Sequence, residues 1–114
     1  DKPAEFLLIS GDDPVTLPMM SLGAAGIISV IGNALPKKVA TLAKLCAEGN
    51  YAEARSIHNE LLNITDLCFI EGNPAGVKYI LQELGIGKDQ LRLPLVPVSE
   101  KIQAAIKEEL KKLN

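Results

Sequence analysis

Two short segments hold the residue types able to do chemistry in this 114-residue chain. Ser10-Gly11-Asp12-Asp13 closes an apolar run over residues 6–10, and Ser29-Val30-Ile31-Gly32-Asn33 closes another over 26–31. Paired carboxylates can serve acid–base or metal chemistry. They can equally accept the orphan N–H groups that open a turn, and Pro14 follows them at once. No third carboxylate lies nearby to complete a cation cage, so capping and solvation is the simpler account of Asp12 and Asp13. Asn33 has a similar explanation, as the cap of a helix carrying Pro36 in its first turn.

The remaining reactive side chains carry less. His58 sits beside Arg55 and Asn59, off the apolar stripe of its helix, and reads as a solvated or locally bonded imidazole. It is the one histidine in the chain, which argues against a histidine-rich metal centre. Cys46 and Cys68 form no CxxC pair and fall on apolar helix faces, where cysteine behaves as a small hydrophobe.

The elements that position the two polar segments follow from hydrophobic pattern. Continuous apolar runs bounded by glycine suit strands buried on both faces, as in a parallel sheet. The link from Gly11 to Gly26 is long enough for one crossover, which needs about a dozen residues. It contains a short helix near Thr16 and Pro18, and Gly23 suits the left-handed position that ends it. This is a β-α-β unit, and in such architectures ligands bind at the C-terminal ends of the strands. Both polar segments lie at those ends. Gly23-Ala24-Ala25-Gly26 is not a phosphate loop, because it precedes a strand instead of following one.

From Pro36 the pattern is helical. Val39, Leu42, Ala43 and Cys46 form one stripe, and Gly49 ends it. Asn50 caps a second helix running to about Ile70, with Ala54, Ile57, Leu61, Ile64 and Cys68 along one side. Asn73-Pro74 reads as cap and first helical residue of a third, with Val77, Ile80, Leu81 and Leu84 apolar and Gly85 closing it. Residues 85–98 form an extended connection in which Leu91, Leu93 and Leu95 alternate, so that one side can pack on the helices. Ser99 caps a last helix with Ile102, Ala105, Ile106, Leu110 and Leu113 inward, and Lys111 and Lys112 suit its C-terminal dipole.

At these residues the chain resembles the dihydrodipicolinate synthase family. Ser10-Gly11-Asp12-Asp13, then Thr16-Leu17-Pro18, then the Leu22-Gly23 corner running into Gly26-Ile27-Ile28-Ser29-Val30 looks like the last two barrel strands of that family. The likeness continues through Asn73-Pro74, Val77-Lys78, Leu84-Gly85 and Leu91-Arg92-Leu93-Pro94-Leu95, covering nearly the whole chain. Related pyruvate aldolases such as N-acetylneuraminate lyase share the fold, and the Gly-Asp-Asp and Arg-Leu-Pro-Leu segments favour the synthase.

The resemblance implies an α/β fold: the last two strands and the C-terminal helical extension of a (β/α)8 TIM barrel, the fragment itself mostly helical. Residues 1–35 would hold the last two βα units, and 36–114 the closing helix and extension. It also implies a lyase that condenses pyruvate with aspartate semialdehyde through a lysine Schiff base, in lysine biosynthesis, without a cofactor. The catalytic lysine, tyrosine and threonines of the family lie on earlier strands, so this chain alone is expected to be inactive. By resemblance Ile28 contacts pyruvate through its main-chain carbonyl, while Gly11 and Asp12 rim the pocket and contact the second substrate. A cytoplasmic dimer or tetramer is implied, and Leu22, matching a weak contact between dimers, is expected to be exposed.

Bulk properties agree. A complete barrel needs roughly 200 residues or more, so this length supplies only part of one. The chain opens on Asp1 and has no methionine before Met19, as expected of a piece of a longer protein. A net charge of −2 with dispersed cations gives no electrostatic case for nucleic acid. No apolar run of ~18 residues indicates a membrane span. A stand-alone helical interaction module would account for the four later helices, but not for two buried-type strands, because a two-stranded sheet is marginal alone.

Overall fold

The computed structural model describes residues 2–113, in two compact units, one ending at Asn59 and the other beginning at Glu60. The first is a β-α-β unit. Strand β1 (Ile9–Ser10) leads through a 3-10 turn (Asp13–Val15) and helix α1 (Thr16–Ser21) to β2 (Gly26–Ile27). The strands are parallel, with Ile9 opposite Gly26 and Ser10 opposite Ile27. A second 3-10 turn (Ile31–Asn33) leads into helix α2 (Pro36–Ala47) and then α3 (Tyr51–Phe69), within which the boundary between the units falls.

Both strands are shorter than the apolar runs that predict them. Residues 6–8 have no ladder partner among the described residues and stand exposed, because β1 pairs with β2 alone. Past Ile27 the chain turns away, so 28–31 is not strand, and Ile31 becomes fully buried core instead. Around it lie Met20, Ala24, Ala34, Val39, Leu42 and Cys46, with α1 packed on α2. The stripe on α2 holds as expected, Val39, Leu42 and Cys46 being the buried positions.

The second unit contains the remainder of α3, then α4 (Ala75–Glu83) and α5 (Glu100–Leu113). Leu61, Ile64 and Cys68 on α3, Val77 and Ile80 on α4, and Ile102, Ile106 and Leu110 on α5 are among its buried residues, at the helical spacing the sequence shows. Both cysteines are buried thiols, and burial pushes the Cys46 thiol up from its ordinary value.

Two local expectations are corrected here. The Asn73-Pro74 bond is cis, Pro74 takes the cap position, and no side chain caps α4, so Asn73 is not its cap. Ser99 stands directly before α5, its carbonyl accepting from Gln103 N–H at 2.9 Å, while its hydroxyl donates to Glu71 at 2.6 Å and its amide to the same carboxylate at 2.7 Å. The alternating leucines do not pack on one side. Leu95 N–H donates to the Arg92 carbonyl at 3.0 Å, closing a turn, and Leu93 at its tip is 85% exposed.

Candidate functional site at the strand ends

The C-terminal ends of β1 and β2 are joined first by main chain. Ala25 N–H donates to the Leu8 carbonyl at 2.7 Å, and Ile28 N–H to the Ser10 carbonyl at 2.9 Å. The Ile28 carbonyl therefore leaves the sheet immediately past the last paired residue, on a peptide whose neighbour is pinned. The Ile28 side chain is 74% exposed and is not part of this unit's core.

Side chains then fix each turn. Ser10, fully buried, donates its hydroxyl to the Asp12 carbonyl at 2.8 Å and accepts from the Asp12 amide at 3.3 Å. Thr16 Oγ1 lies 3.1 Å from Ser10 Oγ and 3.0 Å from the Asp12 carbonyl, its single proton shared between the two acceptors. Its hydroxyl thus stabilises the turn before α1. The result is a rigid Gly11-Asp12 corner with both residues exposed. Asp12 makes no side-chain cap, so its exposed carboxylate is not used to satisfy the turn.

Asp13 behaves differently from either sequence reading. It is buried, and its carboxylate reaches across to the other strand end. Asp13 Oδ1 accepts the Ser29 hydroxyl in a short hydrogen bond. Asp13 Oδ2 accepts the Val30 amide at 2.9 Å and the Ile31 amide at 3.4 Å. A buried carboxylate is costly unless several donors compensate it, and here three do. The same contact satisfies orphan donors at the start of the second 3-10 turn. Ser29 Oγ in turn accepts the Gly32 amide at 2.7 Å. A Cβ at Gly32 would come within 2.9 Å of that oxygen, so any other residue here would displace the Ser29 side chain from this arrangement.

Asn33 is not the cap of α2. It lies inside the 3-10 turn and donates Nδ2 to the Val30 carbonyl at 3.0 Å and the Ser29 carbonyl at 3.3 Å, while Leu35 stands at the cap position. His58 lies on α3 and is half-buried, and burial lowers its imidazole below the ordinary value. Among the described residues no group of three histidine, cysteine or acidic side chains is placed to hold a metal ion. No described helix is long and apolar enough to cross a membrane.

The strand ends thus offer the Ile28 main-chain carbonyl beside a pinned amide and an exposed Asp12, next to an exposed Gly11. Neither strand nor strand-end turn carries a lysine, cysteine or histidine. Such a surface can orient a substrate but holds no amine for a Schiff base. The sequence pointed to Ile28, Gly11 and Asp12, and the structure places all three at one end of the two-stranded sheet. The pairing of Asp13 with Ser29 was not anticipated. Its signal is modest: Ser29 is the one polar residue within an otherwise apolar run.

A parallel β-α-β unit with an exposed corner at its strand ends and a long helical tail defines the class: part of an α/β enzyme barrel. The sequence profile of the dihydrodipicolinate synthetase family matches residues 2–113, and the chain belongs to that family. It is 46% identical over 114 residues to the 4-hydroxy-tetrahydrodipicolinate synthase of Parabacteroides distasonis, covering 100% of this chain and 38% of that protein. The dihydrodipicolinate synthase crystal structure from Aquifex aeolicus superposes with a TM-score of 0.93 at 42% identity, over 98% of this chain and 38% of that one. The chloride-inhibited synthase of Acinetobacter baumannii, solved in complex with pyruvate, superposes at 0.88 with 33% identity, over 93% of this chain and 36% of that one. The chain therefore spans little more than a third of the relatives it matches. Its fold is the last two strands and the helical extension of their (β/α)8 barrel.

Proposed function

We propose that this chain is the C-terminal portion of a 4-hydroxy-tetrahydrodipicolinate synthase, a lyase of lysine biosynthesis that condenses pyruvate with aspartate semialdehyde through a lysine Schiff base. The observation that carries the reading is the 46% identity to a synthase of that name along all 114 residues. Residues 1–35 contribute two βα units of the barrel and 36–114 the closing helix and extension. The protein acts as a cytoplasmic homo-oligomer, a dimer or tetramer.

In this reading the chain lines the pocket and leaves the covalent step to a lysine elsewhere in the barrel. A protonated imine is a cationic N–H donor. The Ile28 carbonyl is a suitable acceptor for its surroundings, because a main-chain group beside a pinned amide loses little freedom on binding. Gly11 leaves room at the rim, and Asp12 presents acceptor oxygens to the aldehyde substrate, directly or through water.

Two variants of the full-length enzyme test the assignment. Ile28→Val keeps the carbonyl, and if the rest of the barrel buries the side chain it should cost about 0.5–1.5 kcal/mol of packing. Pyruvate kinetics should remain near wild type. Ile28→Pro removes the amide that donates to Ser10 and displaces the carbonyl. Kinetic constants per active site, counted by borohydride trapping, should then fall selectively for pyruvate. A folded Ile28→Pro enzyme with normal pyruvate constants rejects the site.

A further inference from the structure

We infer that Asp13 is a positioning residue for the pyruvate side of the pocket, acting through the segment that follows Ile28. The inference rests on the synthase reading for its substrate, and on geometry alone for the anchor itself. Ile28 has main-chain restraint on one side only, through its amide and the Ser10 carbonyl. On the other side the chain departs from the sheet, and its next polar groups converge on one carboxylate. Ser29 Oγ, Val30 N–H and Ile31 N–H all donate to Asp13, and Gly32 N–H joins through Ser29 Oγ. Asp13 itself belongs to the 3-10 turn that follows the Gly11-Asp12 corner. One side chain thus ties the rim of β1 to the three residues that directly follow the Ile28 carbonyl.

The chemistry of the anchor favours an acceptor-only group. Three donors meet two oxygens, and a carboxylate has lone pairs enough for all of them. An amide keeps both main-chain N–H groups on its oxygen only by turning its NH2 toward Ser29 Oγ, so that the Ser29 hydroxyl loses its acceptor; turned the other way, the NH2 faces the Val30 and Ile31 amides. In Asp13→Asn the segment 29–32 should therefore loosen, and the Ile28 carbonyl with it. Misplacement of a positioned group by about 1 Å is enough to lower a rate by a hundredfold. Ser29→Ala is the milder change, since both amides keep Asp13 Oδ2.

The test uses the full-length enzyme carrying Asp13→Asn or Ser29→Ala. Three quantities are read: amide hydrogen exchange across residues 28–32, KM for pyruvate and for aspartate semialdehyde separately, and kcat per borohydride-trapped site. The expected result is faster exchange at Val30 and Ile31, with KM for pyruvate raised roughly tenfold or more. The aldehyde KM should change less, and Ser29→Ala should fall between wild type and Asp13→Asn. A purely structural role would lower the count of trapped sites and leave the remaining sites with normal constants, which overturns the inference. Unchanged exchange at 28–32 overturns it as well. If the wild-type enzyme does not trap pyruvate, it is the synthase reading that fails. The exchange data still decide whether Asp13 anchors the strand end.

Discussion

A side chain at Gly76 would collide with the backbone of Cys68. An added Cβ would lie 2.6 Å from the Cys68 Cα, with the Leu67 and Cys68 carbonyl oxygens at 2.7 and 2.8 Å. Helices α3 and α4 therefore approach within backbone contact at this point, and only glycine allows it. Gly76→Ala gains up to about 1 kcal/mol in helix propensity. Against this, backbone atoms cannot move aside as a flexible side chain would, and overpacking costs typically 1–3 kcal/mol. The clash should win, and thermal or urea melts should show net destabilisation. Equal or greater stability would mean that α4 shifts freely along α3.

The link between Glu71 and Ser99 makes a pH prediction. Hydrogen bonds from the Ser99 hydroxyl and amide hold the Glu71 carboxyl below the ordinary value of 4.5. A carboxylate with a depressed folded value stabilises the fold above its unfolded value, and this contribution is lost as pH falls through the folded one. The loss should therefore develop below about pH 4.5, not near neutrality. Glu108, held down by Lys111, titrates in the same direction, so the comparison must be with Glu71→Gln. The stability difference between wild type and Glu71→Gln should narrow as the medium is acidified below that point. A difference that stays constant would remove Glu71 as its source.

The helices were legible because each carries an apolar stripe at the right period. Val39, Leu42 and Cys46 on α2, and Ile102, Ile106 and Leu110 on α5, are buried as that spacing requires. Strand lengths were not legible, since a strand ends where its partner ends: residues 6–8 extend past the paired positions and stand exposed, and of 28–31 only Ile31 is buried core. The site was legible in part. Strand-end position and family likeness pointed to Ile28, Gly11 and Asp12. The Asp13–Ser29 pairing was hidden because it joins residues distant in sequence, and because either aspartate of the pair could have capped its own turn. Asn33 and Asn73 misled for a related reason: a short amide before a proline suits a cap, yet Asn33 bonds backward to carbonyls and Pro74 itself holds the cap position of α4.

Leu22 is 89% exposed at the corner after α1, the exposure that the family resemblance implies for it. We propose that it touches a second copy of the full-length protein. If that protein is a tetramer, Leu22→Tyr should shift sedimentation toward dimer with the circular dichroism spectrum unchanged. An unaltered tetramer would place the contact elsewhere.

The central claim is that this chain shapes a pyruvate pocket whose covalent lysine lies outside it. The most direct measurement is borohydride trapping with pyruvate, followed by intact mass and peptide mapping, on the full-length enzyme and on the isolated chain. The account predicts one pyruvate adduct per full-length protomer, on a lysine outside residues 1–114, and none on the isolated chain. A specific adduct on any lysine of this chain would contradict it.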